Sequence, residues 1–186
     1  MKKIDIKDLK ESAVSLFDDK WCLITAGNKD SYNTMTASWG AMGELWNKDA
    51  CFIFIRPQRY TLEFTEREDL FTLSFFSEEY KEALMFCGRN SGRDCDKAKE
   101  TGLTPMEIDG SMSFDESEII VVCKKLFTQD IDPEGFIDKS LDSKNYPQKD
   151  YHKMYVGEIV ACYIKDKLLK ILTKIKYYCK FSFTMV

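Results

Sequence analysis

The chain has 186 residues, 44% hydrophobic and 13% aromatic, enough apolar material for one domain with a real core and far from a disordered composition. Its formal net charge of −4 argues against a general nucleic-acid binder. The charge is uneven: from Lys165 onward stand six lysines and one aspartate, a basic tail behind an acidic body.

Met1-Lys2-Lys3-Ile4-Asp5 lacks the apolar core of a signal peptide, and no apolar run reaches the length of a membrane span, so the expected compartment is the cytoplasm. Residues 4–17 carry a rough apolar stripe, Ile4, Leu9, Val14 and Leu16, which predicts a short amphipathic helix and a helical segment over 1–17. Trp21 to Ala26 reads as a buried strand, Gly27 to Ser31 as a turn, and Tyr32 to Trp39 as the returning strand. Cys51-Phe52-Ile53-Phe54-Ile55 is strongly β-prone and stops at Arg56-Pro57. Thr61 is placed as a helix N-cap, with Glu63 and Glu66 behind it where the helix dipole favours acids. Leu70 to Phe76 is the next strand, and a helix runs from Ser77 through Phe86 until Gly88.

Residues 88–118 are polar and glycine-broken, and read as a long loop. Ile119 to Cys123 restarts the sheet, extending towards Thr128; residues 130–150 form a polar connection, and Tyr155 to Ile164 is the last strand. The tally is about six or seven strands and two or three short helices, with no alternating βα rhythm. A closed antiparallel barrel with peripheral helices is the natural architecture.

Seven cysteines, at 22, 51, 87, 95, 123, 162 and 179, show neither zinc nor disulfide spacing. They read as reduced thiols, four of them in apolar runs, and no metal is expected. Cys87 and Cys95 flank a polar loop where reactivity is open.

Two segments carry the chemistry. In Asn33-Thr34-Met35-Thr36-Ala37-Ser38-Trp39-Gly40, alternation puts the hydroxyls of Thr34, Thr36 and Ser38 on one face. Small and hydroxylated residues let a flat polar ring approach the backbone; the alternative is an ordinary half-exposed edge strand. In Arg56-Pro57-Gln58-Arg59-Tyr60-Thr61, two arginine forks and a threonine at a helix start suit a phosphate; the alternative is surface charge. Gly88-Arg89-Asn90-Ser91-Gly92-Arg93-Asp94 is not a dinucleotide fingerprint, and either closes over a ligand or is a plain loop. His152 is the only histidine, just before the last strand, and no serine or cysteine has a base partner.

The ordered set resembles the flavin reductase-like, FMN-binding split-barrel family, including flavoredoxin-type proteins. It comprises residues 33–40, the strand 51–55, Arg56 to Thr61, Phe71 to Phe76, Ser91-Gly92-Arg93-Asp94 and the late His152 before Tyr155-Val156-Gly157. The likeness spans roughly 18–165, the tail 166–186 departing from it as a basic amphipathic segment. That tail is expected to pack on its own domain or across a dimer, with a membrane or acidic partner as the less favoured reading.

The resemblance implies a mainly β fold, an antiparallel Greek-key split barrel with peripheral α-helices, assembled as a homodimer with FMN bound near the subunit interface. It implies that Thr34, Thr36, Ala37, Ser38 and Trp39 line the flavin, that Arg59, Thr61 and Arg56 hold its phosphate, and that Ser74, Phe75 and Phe76 lie beside the ring. Ser91 and Arg93 would approach the phosphate or a nicotinamide, and His152 the reactive face. NAD(P)H would be the co-substrate and a redox protein or free flavin the acceptor. A non-enzymatic FMN electron carrier and a flavin-free scaffold stay open beside the reductase.

Overall fold

The computed structural model describes residues 1–165. The basic tail, 166–186, lies outside the described residues. Ten strands organise the described residues: β1 (Lys2–Ile4), β2 (Cys22–Asn28), β3 (Ser31–Ala37), β4 (Gly40–Leu45), β5 (Lys48–Ile55), β6 (Leu70–Phe75), β7 (Pro105–Ile108), β8 (Ser111–Phe114), β9 (Ile119–Asp130) and β10 (Lys153–Ile164). Five α-helices lie around them: α1 (Ala13–Ser15), α2 (Thr61–Arg67), α3 (Lys81–Arg89), α4 (Lys97–Thr101) and α5 (Lys139–Asn145).

The main sheet is antiparallel in the order β3-β2-β6-β9-β10-β5-β4, with β1 paired to the end of β10, and β7–β8 form a separate hairpin. The sheet is not closed. It ends in β3 on one side and β4 on the other, although only Ser38 and Trp39 separate those strands in the chain. The expected closed barrel is therefore an open one, split where residues 38–39 cross.

The core follows from strand patterning. Phe71, Leu73 and Phe75 of β6, Ile53 and Ile55 of β5, and Val121 and Cys123 of β9 are fully buried and pack with Phe17 and Ile164. Each such large side chain withdrawn from water contributes roughly 1.5–3 kcal/mol. Gly157 sits at a register shift between β9 and β10, where an added Cβ would lie 2.7 Å from the Phe71 ring, so any side chain there would displace the core. The six described cysteines are free thiols, and burial pushes Cys87 up to about 11, a packed group and not a reactive one.

Several expectations change. Residues 4–17 are not one helix: β1 pairs with β10, a 3-10 turn covers Ile6–Asp8, and α1 runs into a π-helical turn at Leu16–Lys20. The α3 helix continues through Gly88 to Arg89. The 88–118 loop holds α4, capped by the Asp96 side chain and ended by Gly102 in the left-handed conformation, and then the β7–β8 hairpin. The 130–150 connection holds α5, capped by Asp138.

Candidate functional site

Two clefts follow one another along β3. The first, about 250 Å³, is lined by Met35, Thr36, Ala37, Ser38 and Trp39 from β3 and its exit, by Phe54 and Arg56, and by Arg59 and His152. The second, about 290 Å³, takes in Asn33, Thr34, Tyr60, Gly92, Cys95 and Lys97. Each is small for a cofactor pocket, which spans about 300–1,000 Å³, so a nucleotide-sized ligand would need both.

Of the residues singled out from the sequence, the first cleft gathers Thr36, Ala37, Ser38, Trp39, Arg56, Arg59 and His152. Trp39 is 47% exposed, and its ring packs 5.2 Å from that of His152. The Thr36 hydroxyl donates to the carbonyl of Leu84, so α3 is fastened to β3 there. The hydroxyl face does not stand free: Thr34 borders the second cleft, but its hydroxyl is shared with Thr25 at 2.9 Å and with the Ile24 carbonyl.

The two arginines have different circumstances. Arg56 pairs with Asp150, donates to the Asn145 carbonyl at 2.8 Å and lies over the Tyr146 ring at 5.2 Å. Its charge is spent on the 145–150 loop, and Arg56 with Gln58 holds the Asp150 carboxyl below the usual carboxylate range. Arg59 donates only to the Gly88 carbonyl, and among the described residues it has no carboxylate partner. Burial, and then Arg56, lower its pKa without threatening its charge.

Lys97 was not legible as a site residue. It is 6% exposed, and its ammonium donates to the carbonyls of Thr34 and Cys87, each at 2.8 Å. Burial lowers its pKa and the nearby Arg59 adds to that. Asn33 is also buried, donating from Nδ2 to the Thr61 hydroxyl at 2.8 Å. Gly92 closes on it: an added Cβ would stand 1.9 Å from Asn33 Oδ1.

The other predicted residues lie elsewhere. Thr61 is the first residue of α2 and not its N-cap, since Tyr60 already has helical dihedrals; the Thr61 hydroxyl is taken by Asn33. Ser74 meets Ser113 at 2.8 Å in the interior, Phe75 packs edge-on to Phe17, and Phe76 packs with Tyr80 and Phe114. β6 lies inside the sheet, between β2 and β9, so Ser74 faces the β7–β8 hairpin and Phe75 the core, and none of the three residues lines either cleft. Ser91 accepts from the Arg93 backbone; Arg93 pairs with Glu63 and stacks on Tyr60 at 4.4 Å.

His152 is 8% exposed, with Nδ1 2.8 Å from the Tyr146 hydroxyl. Burial, then Arg56, lower its pKa to about 4, with Arg59 adding to the effect and Asp150 opposing it, so the ring is neutral near pH 7. No three histidine, cysteine, aspartate or glutamate side chains converge as metal ligands among the described residues.

An open antiparallel barrel, split beside two clefts, one lined by a carboxylate-free arginine and the other by a buried lysine, defines a split-barrel protein. The chain belongs to the flavin reductase like domain family, whose model matches residues 15–180. With that family comes a flavin-linked redox role as a class. Solved structures share the fold. Flavoredoxin of Desulfovibrio vulgaris (Miyazaki F) superposes with a TM-score of 0.62 at 20% identity, over 80% of this chain and 70% of that one. An FMN-binding protein from Thermus thermophilus gives 0.63 at 17% identity, over 90% and 83%. A Shewanella frigidimarina protein described as having a split barrel domain gives 0.63 at 18%, over 88% and 76%. No curated protein matches the sequence significantly.

Proposed function

We propose that the two clefts together bind FMN and that the protein is an NAD(P)H-dependent flavin reductase or flavin-linked oxidoreductase. One observation carries the reading. Arg59, partly buried in the first cleft, and Lys97, buried beside the second, meet carbonyl oxygens and no carboxylate among the described residues. Burying a cation without a carboxylate is costly, and an anionic ligand there offsets that cost.

The surrounding residues fit a flavin nucleotide. Arg59 offers a planar fork for phosphate oxygens, with Lys97 adding positive potential close by. The chain between β3 and β4 has left the sheet, so its polar groups and the Ser38 hydroxyl can meet a ring edge, and Trp39 supplies an apolar face. His152 adds an uncharged polar group. Arg56 belongs to the scaffold in this reading and not to the phosphate clamp. When bound, FMN supplies an acceptor for hydride from a reduced nicotinamide, which needs no acid–base triad from the protein.

A homodimer fits the exposed pair Trp46 and Phe127, 55% and 41% exposed with rings 6.0 Å apart, as a patch for a second copy; light scattering at micromolar concentration tests it. Among the described residues no helix is long and apolar enough to cross a membrane. A cytoplasmic location is part of the proposal.

The absorbance spectrum of the purified protein, followed by titration with FMN, tests the cofactor. A protein that stays colourless and leaves FMN fluorescence unchanged overturns the flavin reading. Stopped-flow mixing with NADH and NADPH then tests the reaction. Flavin reduction no faster than in free solution removes the reductase and leaves an FMN electron carrier.

A further inference from the structure

Tyr146 stands behind His152, on the side away from the cleft. It is 3% exposed, and its ring is enclosed by Phe136 at 5.9 Å, Tyr151 at 4.9 Å and the Arg56 guanidinium at 5.2 Å. Its hydroxyl has one partner among the described residues, His152 Nδ1 at 2.8 Å. His152 Nε2 has no partner among the described residues and is not among the buried orphan atoms, so it keeps contact with the open side of the ring.

A hydrogen bond at this distance can run two ways. If Nδ1 carries the proton and donates, the enclosed phenol proton is left with no acceptor. That costs about 1–3 kcal/mol, a preference of about 5- to 150-fold for the opposite arrangement. If the phenol donates, Nδ1 is the acceptor and the ring's one proton must sit on Nε2. The third possibility, a doubly protonated ring, puts a cation beside Arg56 and Arg59 with only Asp150 to oppose them.

We infer that Tyr146 is a positioning residue that selects one tautomer of His152, with Nδ1 accepting from the phenol and Nε2–H presented to the cleft. The cleft then receives a fixed, uncharged donor beside Arg59, matched to a carbonyl oxygen or an unprotonated ring nitrogen and opposed to a ligand N–H. The tautomer stands on the protein alone; its use as a donor to the cofactor rests on the flavin reading above.

His152 is the only histidine, so its two ring nitrogens give one set of imidazole signals in a 15N-labelled sample. Long-range 1H–15N spectra of the flavin-free protein at neutral pH should show protonated Nε2 and bare Nδ1. A protonated Nδ1, or a cationic ring, overturns the assignment, and this measurement needs no variant. In Tyr146→Phe the ratio of tautomers should fall by about 5-fold or more while the amide spectrum keeps its dispersion; an unchanged ratio in a folded variant also overturns it. Added FMN should shift the Nε2 signal. Binding that leaves Nε2 unmoved overturns the donor role. Failure of FMN to bind at all strikes the flavin reading and leaves the tautomer result standing.

Discussion

Arg59 reaches the carbonyl oxygen of Gly88 and so ties the turn after β5 to the end of α3. The contact holds the guanidinium in place without neutralising it. Charge-assisted hydrogen bonds to an anion contribute about 1.5–3 kcal/mol, so Arg59→Met should weaken FMN binding by roughly 10- to 150-fold. Arg59→Lys, which keeps the charge and loses the fork, should fall between. Fluorescence titration reads both, and an unaltered affinity in the folded Met variant removes Arg59 from the site.

Arg56 makes the contrasting prediction. Its ion pair with Asp150 and its bond to the Asn145 carbonyl serve the 145–150 loop. Asp150→Asn should lower the melting temperature while leaving FMN affinity much closer to wild type than Arg59→Met does. The Asp150 carboxyl is held low by Arg56, so its contribution is present above the ordinary carboxylate pKa and is lost as pH falls through the folded value. Followed by circular dichroism, the stability gap between wild type and Asp150→Asn should therefore shrink as pH falls through the carboxylate range; equal FMN losses in the two variants would show Arg56 acting as a ligand instead.

His152 supplies a separate pH term. Its folded pKa, about 4, lies below the ordinary 6.5, so between them the unfolded chain binds more protons and stability rises with pH. The contribution is complete above the ordinary value and is lost as pH falls from there towards the folded one. Urea unfolding at pH about 5 should give about 2 kcal/mol less stability from this group than at pH about 7. His152→Gln should flatten that part of the profile. A wild-type profile with no fall over this range would mean that the ring titrates normally.

Gly92 makes room for Asn33. In Gly92→Ala the new methyl would have to displace Asn33 Oδ1, and with it the Asn33–Thr61 bond that joins β3 to α2. Overpacking of this kind costs about 1–3 kcal/mol. Urea unfolding should show that loss, with weaker FMN binding alongside it, since Asn33 and Gly92 border the second cleft.

Much of the sheet could be read directly. β2, β5, β6, β9 and β10 are long apolar runs, and such runs seek a sheet whatever surrounds them. β4 was missed because Gly40-Ala41-Met42-Gly43-Glu44 has little strand preference; it is templated by β5 across a turn in which Trp46 and Asn47 both adopt positive φ. The β7–β8 hairpin did carry a signal, Asp109-Gly110, and so did α4, bracketed by Asp96 and Gly102. Around the clefts, Trp39, Arg59 and His152 stood out by residue type and order. Lys97, Tyr146 and Asp150 did not, because their roles come from partners 63, 6 and 94 positions away in the chain. Arg56 shows the same limit: sequence reveals a cation but not the Asp150 carboxylate that meets it.

Among the described residues, the split between β3 and β4 leaves two sheet borders with no neighbouring strand. Such borders are where one chain can template another into an aggregate. Helix α3 lies against the β3 border, Gly88 close enough that an added Cβ would touch Thr36 at 3.3 Å, and the Thr36 hydroxyl holds it there. The helix that flanks the candidate site thus also packs on the border strand where another chain could add itself.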